Sequence, residues 1–116
     1  MSNSVSIKER VKRFNKIISV SGDKSLSIRW VLFSSLADGV SKAENLLMSE
    51  DVFAAIEAIK KLGIKTNTTK HVCKIFGKGI NGYKYKKKII INAKNSGTLG
   101  RLIMGILIDT PYKIKI

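Results

Sequence analysis

The sequence predicts an α+β fold in which helices pack as layers on a mixed sheet, arranged as a βαβαββ-type unit. Helices are predicted where apolar residues recur at helical spacing, from Val52 to Leu62 and from Leu99 to Leu107. Short β-like runs bounded by glycine or asparagine lie between them. The hydrophobic fraction of 44% and the charged fraction of 26% are those of a packed globular domain.

The first part of the chain, residues 1–21, is predicted to be a polar arm that ends in a short strand over Lys16 to Val20. The turn cluster Ser21 to Asp23 follows it. Next come a helix from Ser25 to Asp38, which has an apolar stripe and a glycine just past its end, and a short strand from Val40 to Leu47.

The second helix has the strongest signals in the chain. Ser49 caps its first turn, Glu50 and Asp51 suit the positive end of the helix dipole, and Gly63 marks its end. The pattern then changes to three runs that predict antiparallel strands, followed by a third helix and, after Pro111, a terminal strand. These elements span Ile64 to Thr69, His71 to Phe76, Lys87 to Asn92, Gly97 to Ile108 and Tyr112 to Ile116.

Composition argues against several classes of protein. No apolar run approaches the roughly 18 residues of a membrane span, and no signal peptide begins the chain, so we expect a cytoplasmic protein without a membrane partner. Cys73 is the only cysteine, which excludes an internal disulfide. His71 and Cys73 have no second pair of ligands beside them, so we expect no metal and no other cofactor.

The net charge of +14 raises the question of nucleic-acid binding, because lysines that neutralise phosphates drive non-specific association. The excess is mostly lysine in a chain rich in Ile, Lys and Asn, and we interpret it as compositional bias. The tract Lys84 to Lys88 suits a solvated edge strand as well as a nucleic-acid surface. Nucleic acid is therefore not the expected partner, and a small basic RNA-binding module that uses Tyr83 to Lys88 stays open as an alternative.

Three glycines, Gly77, Gly79 and Gly82, have the spacing of a dinucleotide-binding fingerprint. That motif needs a helix directly after it, whereas Tyr83 to Lys88 predicts a turn and a strand. We interpret the glycines as a hairpin loop.

Two strand-to-helix junctions carry groups suited to anions. In the first, Gly22 makes the turn, Lys24 and Ser25 begin the helix, and Arg29 returns to the face of Ser25 one turn later. Free amide groups, a hydroxyl, an ammonium and a guanidinium fork together predict a compact anion site. An exposed, capped helix with incidental charges is the alternative.

The second junction runs from Asn95 to Arg101. Asn95 or Ser96 caps the helix, and Gly97 lets a ligand approach the backbone. Two such helix starts in one small domain predict a shared site for anionic ligands, with ordinary capping as the alternative.

Together these junctions resemble the EPSP synthase family (3-phosphoshikimate 1-carboxyvinyltransferase), transferases of the shikimate pathway to chorismate and the aromatic amino acids. The resemblance covers most of residues 16–116, and it rests on the runs Gly22 to Arg29, Asn45 to Val52 and Asn95 to Arg101. Ser21 stands where the family usually has proline, which leaves the stiffness of the turn open. Ile28, where the family often has histidine, leaves one local polar contact open.

The resemblance implies roles for five residues. Lys24 would touch both 3-phosphoshikimate and phosphoenolpyruvate, Ser25 and Arg29 would hold 3-phosphoshikimate, and Gly97 with Asn95 would line the phosphoenolpyruvate site. In the family, the 5-hydroxyl of 3-phosphoshikimate adds to protonated phosphoenolpyruvate, and the tetrahedral intermediate then expels phosphate, without a metal or another cofactor.

The resemblance also implies a partial enolpyruvyl transferase fold. Residues 1–21 would pair with an absent second domain, and residues 22–116 would form an incomplete N-terminal domain. No catalytic residue is assigned within the chain, because the family's general base, later arginines and phosphate-binding serines lie beyond residue 116. A lone unit exposes an apolar face, so we expect association with a chain that carries the missing half. A non-catalytic domain that completes a partner chain is the second alternative.

Overall fold

A computed structural model describes residues 4–10, 12–13 and 15–116. The described residues form an α+β structure, as predicted, with helices α1, α2 and α3 and strands β1 to β5. The helices are α1 Lys24–Leu36, α2 Glu50–Lys61 and α3 Gly97–Ile106. The strands are β1 Asp38–Glu44, β2 Lys65–Thr68, β3 Val72–Lys78, β4 Ile89–Ile90 and β5 Ile114–Lys115.

The strands form two separate sheets. β1, β3 and β2 make an antiparallel sheet in that order, with Asp38 opposite Lys78 and Lys65 opposite Phe76. β4 pairs with the terminal strand β5 in parallel, so the antiparallel prediction for Lys87 to Asn92 is wrong. The sequence of a two-residue strand does not indicate whether it pairs in parallel or antiparallel. The partner of β4 is β5, at the far end of the chain, so nearby residues could not predict the pairing.

The core lies between the antiparallel sheet and the helices. It is built from aliphatic side chains of all three helices together with Cys73 and Ile75, the inward residues of β3. Gly77 brings β3 against α1, because a Cβ there would lie 2.2 Å from the carbonyl oxygen of Ala37 and 2.3 Å from that of Ser34. The sheet therefore rests directly on the C-terminal end of α1.

The strand predicted over Lys16 to Val20 is not formed in the structure, where these residues have no regular secondary structure. Ile17, Ile18 and Val20 are exposed. The physical reason is that a strand needs a neighbouring strand for its hydrogen bonds, and here the side chain of Asn45 alone bonds the carbonyl oxygen of Val20. The pairing of residues 1–21 with a second domain stays a prediction.

Of the three glycines, Gly77 lies within β3, and Gly79 and Gly82 follow it. They do not begin a nucleotide-binding helix, since Gly82 to Lys86 has no regular secondary structure. They do not close a hairpin either, because β3 pairs with β1 and β2 while β4 pairs with β5. Gly79 and Gly82 lie in the connection between the two sheets. Among the described residues, no helix has the length and apolarity needed to cross a bilayer.

We predict opposite effects on stability for two glycine-to-alanine substitutions. Gly77→Ala should lower the free energy of unfolding by about 3 kcal/mol, because its Cβ meets two backbone carbonyls that cannot yield. Gly105→Ala, in the last turn of α3 with nothing within 4 Å of its Cβ, should raise it by about 0.5–1 kcal/mol. Urea unfolding followed by circular dichroism measures both, and a tolerated Gly77→Ala would contradict this packing.

Candidate anion-binding site

The first predicted junction forms the start of α1, where the structure places Lys24, Ser25 and Arg29. Asp23 caps the helix: its Oδ1 accepts from the backbone N–H of Leu26 at 2.7 Å. The cap satisfies that amide but leaves the first two N–H groups of the helix, those of Lys24 and Ser25, without an intrahelical partner. Arg29 is exposed one turn further on.

The start of α1 is held by the segment Asn45 to Leu47. Gly22 lies against it so closely that a Cβ would meet the carbonyl oxygen of Asn45 at 2.5 Å and the N–H of Leu47 at 2.8 Å. Asn45 has a positive φ of 58° and donates from Nδ2 to the carbonyl oxygen of Val20 at 3.0 Å. The N–H of Leu47 donates to Oγ of Ser27 at 3.1 Å. Gly22 and Ser27 therefore have structural roles at this junction.

Two ion pairs connect this junction to the rest of the site. Lys24 Nζ lies 3.2 Å from Oδ2 of Asp51, whose side chain is 17% exposed, and Lys94 Nζ lies 2.9 Å from Oε1 of Glu50. Both acids stand in the first turn of α2, which Ser49 caps. The start of α2 therefore lies between the start of α1 and the residues that lead into α3.

The second predicted junction forms the start of α3. Ser96 is its cap, since Oγ accepts from the N–H of Leu99 at 3.1 Å. This leaves Asn95 exposed rather than capping. A Cβ at Gly97 would lie 3.6 Å from Nη1 of Arg101, an ordinary contact, so neither packing nor φ requires glycine there.

The two ion pairs place the first turn of α2 beside Lys24, at the start of α1, and beside Lys94, which precedes α3. In addition to the ion pairs, Leu32 and Phe33 of α1 line one groove with Leu102 and Ile106 of α3, so these two helices also pack against each other. Each helix keeps two N–H groups free at its start and contributes about half a positive charge there, which at α2 is offset by the carboxylates of Glu50 and Asp51. The arrangement is suited to a ligand with several negative charges.

The structure therefore places both predicted junctions next to the first turn of α2, and a site shared by the two stays a prediction. Two residues lie in the runs quoted from the sequence but were given no role there. Asp51 forms an ion pair with Lys24, and the guanidinium of Arg101 lies beside Gly97. Arg101 follows Gly97 by four residues, as Arg29 follows Ser25. That repeated spacing is the signal that would have found it.

Other candidate groups do not join this site. Cys73 is buried, and its Sγ lies 3.4 Å from Oγ1 of Thr68, whereas His71 is exposed. Both line a cavity of about 470 Å³ between the β2–β3 turn and the segment after β1. In the part of the chain that the structure describes, no group of three or more side chains is placed to hold a metal.

Comparison with known proteins connects this geometry to a family. The family described as EPSP synthase (3-phosphoshikimate 1-carboxyvinyltransferase) matches residues 8–115. The 3-phosphoshikimate 1-carboxyvinyltransferase of Bacillus cytotoxicus is 39% identical over 103 residues, covering 89% of this chain and 24% of the relative. That of Thermoanaerobacter sp. is 42% identical over 108 residues, covering 92% of this chain and 25% of the relative.

A solved structure agrees. The EPSP synthase from Acinetobacter baumannii superimposes with a TM-score of 0.70 at 33% identity, over 78% of this chain and 20% of the other. The chain therefore spans about a quarter of the length of the curated relatives it matches.

We predict that two serines of the first junction differ in their effect on stability. Ser27→Ala should lower the free energy of unfolding by about 1–3 kcal/mol, because the partly buried N–H of Leu47 loses its acceptor. Ser25→Ala should change it by less than about 0.5 kcal/mol, since Ser25 forms no side-chain hydrogen bond among the described residues. Parallel urea titrations compare them, and equal effects would contradict the assigned roles.

Proposed function

The chain belongs to the EPSP synthase family, and from that membership we propose that it binds 3-phosphoshikimate and phosphoenolpyruvate as part of an enolpyruvyl transferase of the shikimate pathway. The observation that carries the proposal is the convergence of three helix starts, with Lys24 between them. Both substrates are multiply anionic, and fixed N–H groups and cations stabilise such charge without reorganisation.

The hydrogen bonds at the first junction support the proposed binding of 3-phosphoshikimate by Lys24, Ser25 and Arg29. Asp23 and Ser27 are engaged in structural hydrogen bonds, whereas Ser25 and Arg29 are not. Lys24 is bound to Asp51 yet remains 54% exposed, so its ammonium keeps donors for a ligand. In the proposal, Lys24, Ser25 and Arg29 hold 3-phosphoshikimate, with Arg29 supplying the fork suited to a carboxylate.

The same reasoning supports Gly97, Asn95 and Lys24 for phosphoenolpyruvate. Because Ser96 caps α3, the amide of Asn95 is left for a ligand. Gly97 has a backbone N–H at the helix start and no side chain to hinder an approaching anion. Lys24 would contact both substrates.

The proposed contribution of this chain is binding and charge stabilisation. Interactions that strengthen as charge shifts between the two anions accelerate the transfer, whereas uniform binding does not. We place no general acid or base within the chain, and the remaining groups would come from a polypeptide that carries the rest of the site.

Two surfaces support such an association. The groove between α1 and α3 is apolar, and Phe33 at its rim is 65% exposed. Ile17 and Ile18 in the arm are exposed as well. In the proposal, the arm over residues 1–21 pairs with a second domain, and residues 22–116 form part of the first.

We predict that 3-phosphoshikimate shifts the amide NMR signals of Lys24 to Arg29 in the purified chain. Lys24→Ala and Arg29→Ala should each weaken binding about 10- to 100-fold, the loss expected for a charge-assisted hydrogen bond. Lys60→Ala is the matched control, because Lys60 is also an exposed lysine paired with a carboxylate, that of Glu57 at 2.7 Å. If Lys60→Ala weakens 3-phosphoshikimate binding equally, the roles of Lys24 and Arg29 are contradicted, because the loss would then reflect net charge alone.

We predict a selective loss of phosphoenolpyruvate binding in Gly97→Ala. The added methyl fits the protein, with Arg101 at 3.6 Å, so stability should not fall and any loss reports crowding of the ligand. Titration should show weaker phosphoenolpyruvate binding, in the presence of 3-phosphoshikimate, and unchanged 3-phosphoshikimate binding. If both affinities stay at the wild-type value, Gly97 does not line the phosphoenolpyruvate site.

A further inference from the structure

The outward face of the antiparallel sheet carries an ordered set of cations around one aromatic ring. Along β3, Cys73 and Ile75 point into the core, so Lys74, Phe76 and Lys78 point outward. This face is on the side of the sheet opposite α1, and none of the residues assigned to the two substrates lies in it.

The strand register arranges these outward residues in rows. A polar row crosses the three strands, and a second, more apolar row lies next to it, two residues along each strand or about 7 Å away. The polar row is Lys42, Lys74 and Asn67, and the second row is Val40, Phe76 and Lys65.

The polar row has an unfavourable feature. Lys42 and Lys74 are directly opposite, and like charges at such positions destabilise a sheet. Lys42 is offset by Glu44, at 2.6 Å, and this bond together with the lysine's charge lowers the pKa of the Glu44 carboxyl. Among the described residues, Lys65 and Lys74 form no ion pair, and Lys78 forms none although Asp38 lies directly opposite it. An anion between Lys42 and Lys74 would relieve the repulsion.

The space for such an anion is present. A cavity of about 340 Å³ lies on this face, lined by Lys42, Asn67 and Lys74 with Thr69 and Val72. Beside it, Lys65 Nζ lies 5.5 Å from the centre of the Phe76 ring, and Val40 is 60% exposed. The Phe76 ring and Val40 provide apolar surface against which a planar aromatic group can pack. The ammonium of Lys65 can leave the ring and contact a phosphate instead.

We propose that this outward sheet face binds single-stranded RNA, with the Lys42–Lys74–Asn67 row on the phosphates and the Phe76 row against bases. A groove of cations beside an aromatic platform is the arrangement by which sheets bind single strands without strong sequence preference. The net charge of +14 strengthens the attraction.

The tract Tyr83 to Lys88 is less suited to bind RNA, although its composition of lysines and tyrosines suggested that role in the sequence. Tyr83 is used in packing, since its hydroxyl lies 2.7 Å from Oγ of Ser35 and burial raises its pKa. Tyr85 packs edge-on against Tyr112, with ring centres 5.8 Å apart. Both tyrosines of the tract are therefore already engaged in contacts within the protein.

The test is fluorescence anisotropy of a labelled twelve-nucleotide poly(U) RNA titrated with the chain at several salt concentrations. Replacing both Lys42 and Lys74 by Gln should weaken binding about 10-fold or more and flatten the slope of log affinity against log salt by about 1.4, two phosphate contacts at 0.7 each. Phe76→Leu should weaken it about 5-fold or more, through lost stacking. Amide NMR dispersion confirms that each variant is folded.

The matched control replaces Lys86 and Lys87 by Gln, which removes the same charge from the tract. It should weaken binding less than threefold. Equal weakening by the two double variants, an unchanged affinity in folded Phe76→Leu, or no RNA binding by the wild-type chain at 50 mM salt would each overturn the proposal. Binding to phosphatidylglycerol vesicles that the Lys42 and Lys74 replacements abolish, without RNA binding, would assign the face to membranes instead.

Discussion

The structure depends on the close approach of Gly22 to the backbone of Asn45 and Leu47. Any side chain at position 22 would occupy the space of a carbonyl oxygen and an amide, so the absence of a Cβ is what allows the segment after β1 to lie across the start of α1. That segment leads directly into Ser49 and α2. The contact thereby sets the start of α2 beside the start of α1, and the proposed anion site depends on this alignment.

The ion pairs at the site orient side chains more than they hold the fold. Exposed pairs contribute about 0–1 kcal/mol each, whereas burying one aliphatic side chain contributes about 1.5–3 kcal/mol. Ile28, Val31, Val52 and Ile59 are completely buried where α1 and α2 pack. The core therefore fixes the helices, and the Lys24–Asp51 and Lys94–Glu50 pairs are free to adjust when a ligand brings its own charge.

Local signals could be predicted from the sequence, and distant pairings could not. α2 starts after its predicted cap and α3 at its predicted first residue, because capping side chains and apolar spacing are encoded within a few residues. The predictions of a strand over Lys16 to Val20 and of an antiparallel β4 were wrong, since strand pairing depends on partners far away in the chain. The same limit applies to the site: Lys24, Ser25 and Gly97 are visible as junction residues, whereas the contact of Lys24 with Asp51 is visible only in the fold.

The most direct test of the shared anion site is an amide NMR titration of the chain with inorganic phosphate. The three converging helix starts predict that the amides of Lys24 and Ser25, Glu50 and Asp51, and Gly97 and Thr98 shift together and fit a single dissociation constant. Phosphate that binds on the outward sheet face should give a separate dissociation constant. Shifts at one helix start alone, or three unrelated constants, would contradict the account, because they would show three separate helix ends and no common site.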